Sequence, residues 1–192
     1  IEQARQLPEQ LPKVLDQLTS LPLIGSRMAE NDTPAQIETW LADLPARLKD
    51  GAWLIDLRDY DEASRLVEES IAIREKALGK EHPQTTGSLL VKSDLMLATG
   101  RPEEARSLAI EAQRILRISL PEDSWQVARA VNNEGAALAK LGDFAAAERL
   151  LLMSLPALSV ASIPGLDTRG NQRLVELYMA WGRPAEAAKY RV

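Results

Sequence analysis

Four ten-residue segments recur along the chain at nearly constant intervals: LIDLRDYDEA, MLATGRPEEA, LAKLGDFAAA and YMAWGRPAEA. In each, an apolar stretch runs into a two-residue break, which begins at Arg58, Gly100, Gly142 and Gly182, with spacings of 42, 42 and 40 residues. An alanine stands five positions on, at Ala63, Ala105, Ala147 and Ala187. A small residue also recurs seven positions before the break, as Gly51, Ser93 and Gly135, while the fourth copy carries Val175. Self-similarity at this period is the signature of one supersecondary unit stacked on copies of itself.

The unit is a pair of helices. Leu54 and Leu57, or Leu138 and Leu141, fall at helical spacing and mark one buried stripe ahead of the turn. The Gly or Arg ends that helix; Asp59 and Asp143 can cap the next, with Glu62, Glu104 or Glu186 in its first turn, where the helix dipole favours negative charge. The small residues let two antiparallel helices approach closely, because Ala or Gly at a crossing removes the bulk that would hold the axes apart. The pattern predicts helices over 44–57, 60–78, 84–99, 102–119, 124–141, 144–159, 167–181 and 184–191. Pro45, Pro102 and Pro184 fall in first turns, where a missing N–H is harmless. Pro156 lies inside a predicted helix and is expected to kink it or end it near Leu155.

Residues 1–42 fall outside the repeat. Pro8, Pro12, Pro22 and Pro34 divide them into short helical pieces, with Leu11, Val14, Leu15 and Leu18 forming an apolar stripe. They are expected to cap the first unit of the stack, or to be a linker from a preceding domain. Residues 43–192 then hold about three and a half units.

Composition agrees with an all-α chain. Hydrophobic residues make up 45% of the 192 and aromatics only 4%, so the apolar content lies in residues that favour helices. A net charge of −5 gives no global attraction to a phosphate backbone or an anionic membrane, so neither nucleic acid nor membrane is an expected partner. The uncharged run from Leu150 to Leu166 is too short for a membrane helix and contains Pro156 and Pro164. The absence of cysteine removes disulfides, thiolate metal sites and a cysteine nucleophile, and is silent on compartment; a cytoplasmic setting is the working expectation.

Catalytic candidates are few. His82 is the one histidine in the sequence; it precedes Pro83 at a predicted helix start, which suits a capping residue better than a general base. LGKEHP lacks the downstream residues of a phosphate loop. Asp56, Asp59, Asp61 and Glu62 span a helix end, a turn and a helix start, and capping explains them better than a metal, because the same turn recurs without these acids. Trp53 and Trp181 lie on apolar stripes and are expected in the core, whereas Trp40 and Trp125 flank unit junctions. No enzyme, metal or cofactor is expected.

The run IAIREKALGKEHP, from Ile71 to Pro83, followed by a Gly-Ser-Leu-Leu helix and GRPEEA, resembles the tetratricopeptide repeat of about 42 residues found in kinesin light chains and many bacterial multidomain proteins. VNNEGAALAKLGDFAAAE, from Val131 to Glu148, is similar to the first helix and turn of the same repeat. The resemblance covers about residues 43–192. Lys92 and Glu134 depart from it where the family usually has Leu, and Val175 where it has a small residue. It implies an all-α, right-handed α-α superhelix of antiparallel helix pairs. It also implies a concave groove, lined by first helices, that takes an extended peptide.

Arg129, Asn132 and Asn133 are matched 40 residues later by Arg169, Gln172 and Arg173, so like groups stack on adjacent first helices. In the family these positions point into the groove, where amides bond a peptide backbone and cations meet acidic groups. Leu90 and Leu97, with Leu48 and Ile55, are implied as an apolar lining, and Asp94 and Glu176 as solvated groove residues. The function implied is a non-enzymatic module that binds a peptide or partner domain, as part of a larger protein. The alternatives are the regulatory tail of a signalling kinase or ATPase, or a self-assembling scaffold. For the last, Leu174, Leu177 and Tyr178 are expected to form a C-terminal face too large for Pro184 to Val192 to cover, which another copy, or sequence beyond Val192, would bury.

Overall fold

The computed structural model describes residue 55, residues 60–161 and residues 166–191. The expected cap or linker over 1–42, together with Trp40, Leu48, Gly51, Trp53, Asp56 and Asp59, lies outside the described residues.

Among the described residues there are seven α-helices and no strand: α1 Tyr60–Leu78, α2 Thr86–Ala98, α3 Pro102–Ser119, α4 Trp125–Leu141, α5 Phe144–Val160, α6 Leu166–Ala180 and α7 Pro184–Ala187. A 3-10 turn, Pro83–Thr85, leads into α2, and another, Ala188–Tyr190, follows α7. Consecutive helices pack as pairs, and the first helices also pack on one another, α2 on α4 and α4 on α6. This side-by-side row turns a string of hairpins into a solenoid.

The turn between paired helices is built the same way each time. Gly100, Gly142 and Gly182 take φ of 75, 85 and 74°, in the left-handed region that only glycine enters without strain. The following residue returns an N–H to a carbonyl five positions back: Arg101 to Met96 at 2.8 Å, Asp143 to Leu138 at 3.0 Å and Arg183 to Tyr178 at 2.8 Å. These bonds satisfy carbonyls that the helix end would otherwise orphan. The next helix opens on Pro102, on Pro184, or behind Asp143, whose carboxylate accepts from the Ala146 N–H at 3.2 Å. Ser124 caps α4 through Val127, and His82 Nδ1 accepts from the Gln84 N–H at 3.2 Å, which fits its expected capping role.

The repeated small residues lie where helices cross. Ala63, Ala105, Ala147 and Ala187 are all fully buried. Ser93 donates its hydroxyl to the Ala105 carbonyl at 2.9 Å, so α2 and α3 approach closely enough for a side chain to reach the opposite backbone. Leu95, Met96 and Ala137 cluster with Ala63 and Ala105; Leu90, Ala112, Leu116, Val127 and Val131 form a second cluster, and Leu138, Leu151, Leu174, Leu177 and Tyr178 a third.

Two expectations are corrected. Helix α5 does not stop near Leu155 but runs on to Val160 with Pro156 inside it. Pro156 is on the exposed face, as is Leu152 one turn earlier, so the carbonyl that loses its partner faces water. The C-terminal face is not left bare. Leu174, Leu177 and Tyr178 are buried within the chain, because the turn after α7 lays Tyr190 over Tyr178 with ring centroids 5.9 Å apart, while Ala187 and Trp181 close the same cluster. Trp181 itself is half-buried, stacked on Phe144 at 5.7 Å with the Arg183 guanidinium over its ring at 3.6 Å.

Candidate functional site

The first helices α2, α4 and α6 bring six of the expected residues into one polar cluster. Asp94, on α2, is at its centre. Its Oδ1 accepts from Arg173 Nη2 at 2.6 Å and from Asn133 Nδ2 at 3.1 Å, and its Oδ2 accepts from Arg169 Nη1 at 3.0 Å. Arg129 Nη2 lies 3.5 Å from the same Oδ2. Arg173 Nη1 donates to Asn132 Oδ1 and Asn133 Oδ1, both at 2.7 Å. Asn133 also donates to the Leu90 carbonyl at 3.1 Å, and Asn132 to Ser154 Oγ on α5 at 2.9 Å, so the network reaches four helices.

Burial grades across the cluster. The Asp94 side chain is 7% exposed, Arg173 10%, Arg129 24% and Arg169 44%, so Arg169 forms the solvent side. Asp94 is therefore not the solvated residue expected. Burial pushes its carboxyl up, but Arg169, Arg173 and Arg129 together outweigh burial and hold it below its ordinary value. It stays ionised, an acceptor and a poor base. Burial pulls the Arg173 guanidinium below its ordinary value against the opposing pull of Asp94.

The remaining expected residues lie elsewhere. Gln172 is exposed on α6 and donates to Glu176 Oε1 at 3.0 Å, away from the cluster. Leu90 is buried in the core with Leu116 and Val127, and Leu97 is half-buried against the cluster around Leu95, so neither is an open apolar lining. Ile55 packs against that same cluster. The buried amides of Asn132 and Asn133 are engaged inside the chain. Ser154 was not anticipated, since it is on a second helix; its signal is a lone serine on the apolar face of α5 opposite Asn132. Among the described residues no group of three or more His, Cys, Asp or Glu side chains is placed to hold a metal. Nor is any described helix long and apolar enough to cross a membrane.

A row of glycine-closed helix pairs with stacked first helices defines the helical-repeat class. Residues 51–118 match the family model of the tetratricopeptide repeat. Among solved structures, the chain is similar to nearly identical TPR-like repeats assigned to a kinesin light chain of Podosopora anserina, with a TM-score of 0.57 and 23% identity over 76% of this chain and 72% of that one. A point variant of the same repeats gives a TM-score of 0.56 and 24% identity over the same shares. No curated protein matches the chain significantly. The described helices share the fold of those TPR-like repeats, and the tetratricopeptide match itself spans residues 51–118. Such repeats are generally protein–protein interaction modules.

Proposed function

We propose that this chain is a non-enzymatic binding module that takes an acidic segment of a peptide or partner domain on the groove side of its first helices, at the arginine cluster. The observation that supports this best is Arg169: it already holds a carboxylate oxygen at 3.0 Å while 44% of its side chain remains exposed. A guanidinium carries five N–H donors in a planar fork, so it can serve more than one acceptor at once. Arg129 and Arg173 stand behind it in the same field. The proposal keeps the cytoplasmic setting expected from the sequence and the placement in a larger protein.

The amides play a different part from the one expected. Asn132 and Asn133 position Arg173 rather than reach for a peptide backbone, and Gln172, exposed on α6, is the amide left in reach of a partner. The test is a peptide-library screen against wild type, Arg169→Ala and Arg101→Ala, the last an exposed arginine paired with Glu104 away from the cluster. Acidic hits that weaken with salt, weaken several-fold in Arg169→Ala and persist in Arg101→Ala support the reading. Hits without acidic residues, or hits indifferent to Arg169, overturn it.

A further inference from the structure

In a helical stack each unit touches only its neighbours, so unit stabilities and nearest-neighbour interfaces account for the whole. The described helices obey this in their packing: α2 packs on α4 and α4 on α6, but α2 and α6 do not pack on each other. The Asp94 side chain breaks the rule. From α2 it bonds Arg169 and Arg173 on α6, 75 and 79 residues further along the chain. Two units with no shared packing surface are joined through one carboxylate, on the side where a partner is proposed to dock.

We infer that Asp94 is the groove's own ligand: an internal carboxylate that clamps α6, the next first helix but one, to α2 and competes with an acidic partner for the same arginines. The clamp stands on the geometry alone; the competition rests on the binding reading given above. Both Asp94 oxygens are turned to the guanidinium groups, Oδ1 to Arg173 and Oδ2 to Arg169 and Arg129. An incoming carboxylate at Arg169 meets a donor already committed to Oδ2. Binding and clamping are then linked, and linkage is reciprocal: whatever loosens the clamp raises affinity for the acidic partner, and the partner loosens the clamp. A carboxylate arriving where Asp94 has been neutralised bridges Arg129 on α4 and Arg169 and Arg173 on α6 in its place, which holds α6 to α4 without the link to α2.

The experiment uses the full chain as wild type, Asp94→Asn and Arg169→Ala, with hydrogen exchange followed by mass spectrometry, and poly-glutamate as the acidic probe. In Asp94→Asn, exchange over 166–180 is expected to rise about tenfold or more while the α3–α4 hairpin changes little, with Arg169→Ala shifting the same way to a lesser degree. Unchanged exchange of α6 in both variants overturns the clamp. Poly-glutamate is expected to bind Asp94→Asn about tenfold more tightly than wild type at low salt and to slow the exchange of α6 again. Equal or weaker binding overturns the competition. If the probe binds neither protein, the competition and the acidic-groove reading both fall, and the exchange data still decide the clamp. If Asp94→Asn does not fold by circular dichroism, Arg169→Ala decides it.

Discussion

Leu151 fills the space that a side chain at position 135 would take: a Cβ built on Gly135 would lie 3.0 Å from both Cγ and Cδ2 of Leu151. The contact locks α4 to α5 within one unit, and Leu150 Cβ, at 3.3 Å, leaves little room to yield. Gly135→Val is expected to lose about 1–3 kcal/mol through overpacking. Gly87 is a contrast in α2, with nothing within 4 Å of its built Cβ, so Gly87→Ala is expected to gain about 0.4–1 kcal/mol by restricting the unfolded chain. Urea titrations of the two variants should move in opposite directions; a shift in the same direction would show that crowding at Gly135 is not what sets the helix separation.

The repeated alanines make the same demand from the facing helix. Ala105 and Ala147 are fully buried in two different clusters, so replacing either with Leu is expected to destabilise by about 1–3 kcal/mol. Thermal melts of the two single variants check this. The double variant should come close to the sum, because the sites share no cluster.

Asp94 makes a prediction in pH. Its carboxyl is held below the ordinary value of 3.8 in the folded chain, so the unfolded chain binds its proton more readily. Its contribution to stability is therefore fully present above the unfolded value and is lost as pH falls through the lower, folded one. The stability gap between wild type and Asp94→Asn should be widest near neutrality and shrink below about pH 4. Subtracting the two curves cancels the exposed pairs, such as Arg114 with Glu81 and Glu111, that both proteins share. A gap that stays constant into acid would mean Asp94 is not ionised in the fold.

At the other end of the stack, Tyr190→Ala removes the ring that lies over Tyr178. The loss of stacking is worth about 0.5–1.5 kcal/mol before the newly exposed apolar area is counted. The Tyr178 hydroxyl, which donates to Glu148 at 2.8 Å, should keep its bond, so increased tyrosine fluorescence quenching by iodide is expected without loss of the helix. Unaltered quenching and unaltered melting would place the cover of Leu174 and Leu177 elsewhere.

Helix limits were legible in the sequence because their causes are local. Gly142 ends α4 and Asp143 begins α5 through bonds spanning three to five residues, and the pattern around them repeats. Pro156 does not end α5 near Leu155, because the letters name the residue but not the exposed face it occupies. Asp94 was read as solvated because its counterions lie on two later helices, 75 and 79 residues away for the α6 pair, and nothing near it in sequence signals them. Leu90 was placed in the groove by its repeat position, yet its neighbours across the pair, Ala112 and Leu116, are small or apolar enough to draw it into the core. The arginine register at 40 residues did carry real information, since Arg129 and Arg169 reach the same carboxylate oxygen.

The reach of Asp94 also sets an order of assembly. Hairpins joined by turns of two or three residues close quickly, since little loop entropy stands in the way, and a stack of them can begin to form at any unit. The carboxylate has no such shortcut, because it must wait for residues 169 and 173 to arrive. On a ribosome, where the chain emerges from its N-terminus, α2 and α3 can pair while Asp94 still faces water. The arginine face then forms only once α6 has emerged, and a chain arrested before α6 has hairpins but no finished surface to offer.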